Sequence, residues 1–171
     1  MKILVIGAGR VGSSVAENLV SEKNEITVVD TGKAQLGYLQ ERFDLRTVCG
    51  DGSSPDILAL AGADDTDLLV SCAATDAVNL VTCKIAKDVF NIPRCVSRGR
   101  GAYYVNHPQT LPDQFGVDST ISPEASVTEY LFSLVEFPDA IQVVKFAEGR
   151  LSVAIVQIGK RSTLLDYQID Q

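Results

Sequence analysis

Lys2-Ile3-Leu4-Val5-Ile6-Gly7-Ala8-Gly9-Arg10-Val11-Gly12 is an apolar run that stops at a glycine and gives way at once to a helical pattern. The three glycines are spaced G-x-G-x-x-G, as in the turn joining the first strand to the first helix of a dinucleotide-binding fold. Each glycine has its own task there. Gly7 permits the tight turn out of the strand. Gly9 lets the backbone come close to a pyrophosphate, and Gly12 lets the helix pack closely on the strand. The phosphates then lie at a helix N-terminus, where free N–H groups and the helix dipole favour an anion.

The flanking sequence supports this reading over an ordinary glycine turn. Ser13 to Lys23 carries Val15, Leu19 and Val20 at helical spacing, and a second strand, Ile26-Thr27-Val28-Val29, ends in Asp30. An acid is expected roughly 20 residues beyond the glycines. There it accepts the hydroxyls of the adenosine ribose and repels a 2′-phosphate, which favours NAD or NADH. The alternative role for Asp30 is to cap the turn at Thr31-Gly32.

Further βα units follow. Lys33 to Phe43 is a helix, and Leu45 to Cys49 is a third strand ending at Gly50-Asp51-Gly52. Ser53 or Ser54 is expected to cap the next helix, with Pro55 in its first turn and Gly62 ending it. Asp67 to Ala74 reads as a fourth strand; its near-continuous apolar run suits a parallel strand covered on both faces. Asp76 to Phe90 is a long helix, Arg94 to Ser97 a fifth strand, and Gly101 to Gln114 a weaker helix interrupted by Pro108 and Pro112. Val117 to Ile121 is a sixth strand, followed by a helix from Ser122-Pro123-Glu124 to about Phe137.

This alternation predicts an α/β fold: a Rossmann-like doubly wound parallel sheet of order 3-2-1-4-5-6. Its crevice opens at the carboxyl ends of strands 1 and 4, so Gly9, Asp30, Asp51, Ala73 and Arg98 should gather round one cleft. The pattern changes after Pro138. Ile141 to Phe146 and Leu151 to Val156 flank Ala147-Glu148-Gly149-Arg150, a β-hairpin signal. The expected division is residues 1–137 as the nucleotide-binding domain and 138–171 as a β-hairpin extension, the start of a truncated second domain.

Composition narrows the function. The 171 residues are 46% hydrophobic with a formal net charge of −7, and the pI is near 4.6. An acidic chain lacks the basic field that non-specific nucleic-acid binding needs. No apolar run reaches the ~20 residues of a membrane helix, so no direct membrane insertion is expected. With no signal-peptide pattern before the first strand, the expected location is the cytoplasm. Cys49, Cys72, Cys83 and Cys95 form no C-x-x-C pair, and Cys49, Cys72 and Cys95 read as small core residues.

Several residues could line the cleft. Asp51 could accept from the adenine amino group or simply order its Gly-Asp-Gly turn. Ala73 and Ala74 are small enough for a ligand to lie against their backbone, or are core residues. Arg98 and Arg100 beside Gly99 and Gly101 suit a phosphate clamp or a solvated pair. Arg10 could reach a phosphate, a neighbouring subunit or solvent. His107, the single histidine, reads as structural or surface. No lysine follows any tyrosine at the four-residue spacing of short-chain reductases, and no G-x-S-x-G elbow occurs. The expectation is therefore no enzyme. The rivals are an NAD-dependent oxidoreductase with its acid/base group elsewhere, a methyltransferase and a bare structural module.

The segments Gly7-Ala8-Gly9-Arg10-Val11-Gly12, Val28-Val29-Asp30, Gly50-Asp51-Gly52-Ser53, Ala61-Gly62-Ala63-Asp64-Asp65-Thr66-Asp67, Asp76-Ala77-Val78-Asn79, Ser122-Pro123-Glu124 and Phe146-Ala147-Glu148-Gly149 stand in order. Together they resemble the N-terminal RCK (KTN) domain of the Trk-type potassium uptake regulators, the TrkA family, over residues 1 to about 158. The resemblance implies a regulatory subunit that binds NAD, NADH, ATP or ADP. It would form dimers or larger homo-oligomers and gate a membrane potassium transporter from the cytoplasmic face. By position, the implied nucleotide contacts are Gly7, Ala8, Gly9, Arg10, Val11, Asp30, Ala73, Ala74 and Arg98, with Asp51 added at the adenine end. Family members often carry Thr or Ser where this chain has Ala73 and Ala74, so hydroxyl contacts there are lost.

Overall fold

The structure, a computed structural model, describes residues 1–21, 23–99, 101, 110–138, 140–146 and 150–157. These fall in two compact units, Met1–Ser122 and Pro123–Gln171. In the first, strands β1 (Lys2–Ile6), β2 (Glu25–Asp30), β3 (Arg46–Cys49), β4 (Leu68–Ser71), β5 (Arg94–Arg98) and β6 (Ser119–Ile121) form one sheet of order β3-β2-β1-β4-β5-β6. Every neighbouring pair in it is parallel. The expected doubly wound fold is therefore the observed one.

Strand periodicity explains why both faces are covered. Leu4 and Ile6 of β1 enter one apolar cluster with Val29, Leu58, Leu69, Leu80 and Cys83. Ile3 and Val5, pointing the other way, enter a second cluster with Ala16, Ile26, Val28, Leu36 and Leu39. Alternate side chains of a strand face opposite sides, so one continuous apolar run supplies two cores. Helices α1 (Arg10–Leu19) and α2 (Lys33–Arg42) cover the second cluster. Helices α3 (Pro55–Leu60), α4 (Asp76–Asp88) and α5 (Thr110–Phe115) cover the first.

Some boundaries differ from expectation. Helix α1 starts at Arg10, inside the glycine motif, because the Gly7 turn (φ +96°) already redirects the chain. Ser54 precedes α3 without a side-chain capping bond, and Ser53 Oγ bonds Asp51 instead. Cys72, Cys83 and Cys95 are buried, but Cys49 is exposed: β3 is an edge strand, and Cys49, at its end, points to the outside. The segment 102–109, which contains most of the predicted weaker helix and His107, lies outside the described residues, as do Arg100, 147–149 and 158–171.

The second unit contains helix α6 (Pro123–Glu136) and an antiparallel hairpin of β7 (Ala140–Phe146) and β8 (Leu151–Val156), with Phe146 opposite Leu151. Its exposed apolar side chains include Leu131, Phe132 and Val135 of α6 and Ile141, Leu151 and Ile155 of the hairpin.

Candidate functional site

The carboxyl ends of β1, β2 and β4 lie level, with Ile6 opposite both Val29 and Ser71. From β1 the chain winds outward to β2 and β3 on one side and to β4, β5 and β6 on the other. The loops leaving β1 and β4 therefore diverge and open a crevice between them. Backbone bonds tie the rim together. Gly7 N–H donates to Val29 O (2.7 Å), Cys72 N–H to Ile6 O (2.7 Å) and Gly50 N–H to Asp30 O (2.9 Å).

Two of the three glycines are required by the protein itself. A Cβ on Gly12 would lie 1.8 Å from Gly7 O, and one on Gly7 would lie 2.8 Å from Cys72 O. Gly9 is different. Its φ of −72° is ordinary for any residue, and a Cβ there would meet nothing within 4 Å. The space above Gly9 is open, at the start of α1, whose first turn carries no acidic side chain and whose N-cap makes no side-chain bond. This is a cradle that a side chain would fill. It fits the diphosphate of a nucleotide: the first N–H groups of a helix have no partner within it, and nothing negative lies on this first turn.

Asp30 closes one side of the cradle. Its Oδ2 accepts from Ala8 N–H at 2.5 Å and its Oδ1 from Gly32 N–H at 2.7 Å. The turn-capping role is thus present, through Gly32 N–H, and the other oxygen holds the glycine loop through Ala8 N–H. Two carboxylate oxygens offer about four acceptor positions, which leaves capacity for ribose hydroxyls. Ala8 is buried, and Arg10 is exposed beside the open space with Val11 half-buried behind it.

Asp51 sits on the loop after β3, bound through Gly50 to Asp30 O. Its Oδ1 accepts from both Ser53 N–H (2.9 Å) and Ser53 Oγ (2.7 Å). The backbone bond, then the hydroxyl, hold its carboxyl below its ordinary range despite some burial. The carboxylate is exposed and stays charged at neutral pH.

On the far side, Ala73 is half-buried and Ala74 exposed after β4, and Arg98 ends β5 half-buried. Residues not singled out from sequence organise this side. Asn79 of α4 is 1% exposed. Its Oδ1 accepts from Ala73 N–H (2.7 Å) and Ser71 Oγ (2.9 Å), and its Nδ2 donates to Arg98 O (3.0 Å) and Ala73 O (3.4 Å). The N–H and the carbonyl of Ala73 are thus both engaged by Asn79. One turn later, the buried Thr82 donates to Gly52 O at 3.0 Å. Asn79 and Thr82 lie three apart on a helix face otherwise lined by Leu80, Cys83 and Ala86. Polar residues on a buried stripe were the available signal.

A second cleft, lined by Lys2, Glu25, Asp44, Arg46 and Asp65 among others, lies at the amino ends of β1 to β3. It is at the opposite edge of the sheet from the glycine loop. The cradle is assigned by chemistry, since the residues of that opposite edge pair with one another, Lys2 with Asp65 for example.

A doubly wound sheet with a glycine-rich turn at its switch point and an acid ending its second strand defines a Rossmann-like domain of the NAD(P)-binding fold. The match to the TrkA-N domain over residues 3–123 makes the assignment specific: the chain belongs to that family. It is 42% identical over 171 residues to the Trk system potassium uptake protein TrkA of Haemophilus influenzae, covering 99% of this chain and 37% of that protein. It is 44% identical over 159 residues to the TrkA of Vibrio alginolyticus, covering 92% and 35%. The chain therefore spans little more than a third of these relatives. Among solved structures, GsuK bound to ADP superimposes with a TM-score of 0.65 at 22% identity, covering 80% of this chain and 34% of that one. The GsuK channel bound to NAD gives 0.65 at 13% identity, covering 86% and 25%. These similarities extend to the fold.

Proposed function

We propose that this domain is the nucleotide-sensing part of a potassium-uptake regulator. In this reading NAD or NADH, or ATP or ADP in the same place, binds across the cleft. The diphosphate rests on Gly7, Ala8, Gly9, Arg10 and Val11, and the adenosine ribose on Asp30. Asp51 lies toward the adenine, and Ala73, Ala74 and Arg98 take the far half. The observation that carries the reading is the open space above Gly9 at the start of α1, where a Cβ would meet nothing within 4 Å and the first turn carries no acidic side chain. The names of the relatives and the ADP and NAD bound to GsuK support the same conclusion.

The domain acts by binding and carries out no catalysis. A ligand switches a protein only through unequal affinity for two of its states; here the states are arrangements of paired copies. The exposed apolar side chains of α6 and the hairpin supply surface for such pairing, and a membrane potassium transporter is the partner whose gate responds. The site of action is the cytoplasmic face of the membrane, reached through that transporter. Among the described residues no helix is long and apolar enough to cross a membrane.

The test is competitive titration of NADH, ATP and S-adenosylmethionine, with mass measured by light scattering in each ligand state. Saturable NADH or ATP binding with a ligand-dependent mass supports the reading. Preference for S-adenosylmethionine, or consumption of NADH with a substrate, contradicts it.

A further inference from the structure

We propose that Asn79 fixes the far half of the cleft and so determines how strongly a dinucleotide is favoured over a mononucleotide. The inference rests on the nucleotide reading above and deepens it. The β4–β5 ladder ends at the pair Ser71–Ser97. Ala73, Ala74 and Arg98 lie just past that pair. Asn79 bridges the two there, from Ala73 to Arg98.

An asparagine side chain has two N–H donors and a carbonyl with two lone pairs. Asn79 uses all four, toward Ser71, Ala73 N–H, Ala73 O and Arg98 O. No other side chain of that size offers both functions: aspartate lacks the donors and would set a charge against two carbonyls, and leucine would leave buried polar groups unpaired. Asp76, one turn earlier on α4, accepts from Gly101 N–H at 2.9 Å and extends the grip past β5. The near half is held separately, by Asp30 on Ala8 and Gly32. A mononucleotide seated on Gly9 and Asp30 therefore depends on contacts that Asn79 does not make, whereas a dinucleotide needs both halves in register.

The experiment is calorimetric titration of NAD and of AMP into wild-type protein and Asn79→Asp. The expected result is a fall of about tenfold or more in NAD affinity with AMP affinity within about twofold of wild type. Equal losses for both ligands, or no loss for NAD, overturn the role of Asn79 alone. A wild type that binds neither ligand overturns the nucleotide reading and this inference with it. Should Asn79→Asp fail to fold, hydrogen exchange on the ligand-free wild type decides. A protected Ala73 amide supports the clamp, and exchange at the rate of an open loop overturns it.

Discussion

The carboxylate of Asp30 accepts the Ala8 amide at 2.5 Å, linking the end of β2 to the glycine loop on one side of the cleft. The same side chain thus shapes the loop and, in the proposed function, receives the ribose. Substituting it has two separable effects. Asp30→Ala strands the Ala8 and Gly32 amides and lowers folding stability by about 1 kcal/mol. It also weakens NAD binding by about 1–3 kcal/mol through loss of charge-assisted bonds. Urea denaturation and calorimetry measure the two; intact stability with unchanged NAD affinity would count against the assignment of Asp30.

Gly12 and Gly9 should behave oppositely. Gly12→Ala drives a methyl group into Gly7 O, a backbone atom that cannot step aside, and should destabilise the fold by about 3 kcal/mol or more. A shift in the urea midpoint reports it. A Gly12→Ala protein as stable as wild type would mean that α1 does not pack on the β1 turn as described.

Cys49 is the exposed thiol of the four, and its neighbour across the β2–β3 ladder is Asp30. Burial pushes the Cys72 thiol up, and Cys83 and Cys95 have no exposed surface. Iodoacetamide on native protein should therefore give a single fast adduct, located at Cys49 by mass spectrometry. Saturating NAD should slow it, because adenosine on Asp30 covers that strand end. Equal labelling of Cys72 would contradict the burial described.

Asp118 contributes an acid-sensitive link. Burial pushes its carboxyl up, but hydrogen bonds from Lys87 (2.8 Å) and Cys95 N–H (2.7 Å) outweigh this and hold it below its ordinary range. A carboxyl depressed in the folded state stabilises above its unfolded pKa, about 3.9, and loses that contribution as pH falls through the folded value. The melting temperature of wild type should therefore fall more steeply below about pH 4 than that of Asp118→Asn. Parallel curves would show that the Lys87–Asp118 pair is without consequence.

The sheet order was legible because each strand is a short apolar run and each helix repeats near 3.6 residues, so local pattern and βα handedness leave few topologies. Asp30 was legible from its place after β2. Asn79 was not given a role, because its partners are backbone atoms of Ala73 and Arg98, and side-chain pattern carries no record of which main-chain groups a ladder leaves unpaired. Cys49 was misplaced because an apolar strand-like run does not tell an edge strand's end from a central one. Ser54 stands at the N-cap of α3 as one of the two expected residues, but without a side-chain bond, while Ser53 bonds Asp51.

The central claim is that the space above Gly9 belongs to a nucleotide. Calorimetric titration of NADH into wild type and Gly9→Val tests it most directly, since φ −72° suits any residue and a Cβ there meets nothing within 4 Å. The account predicts a Gly9→Val protein that melts as wild type does and binds NADH at least about a hundredfold more weakly. A Gly9→Val protein that melts like wild type and binds NADH with wild-type affinity would contradict it.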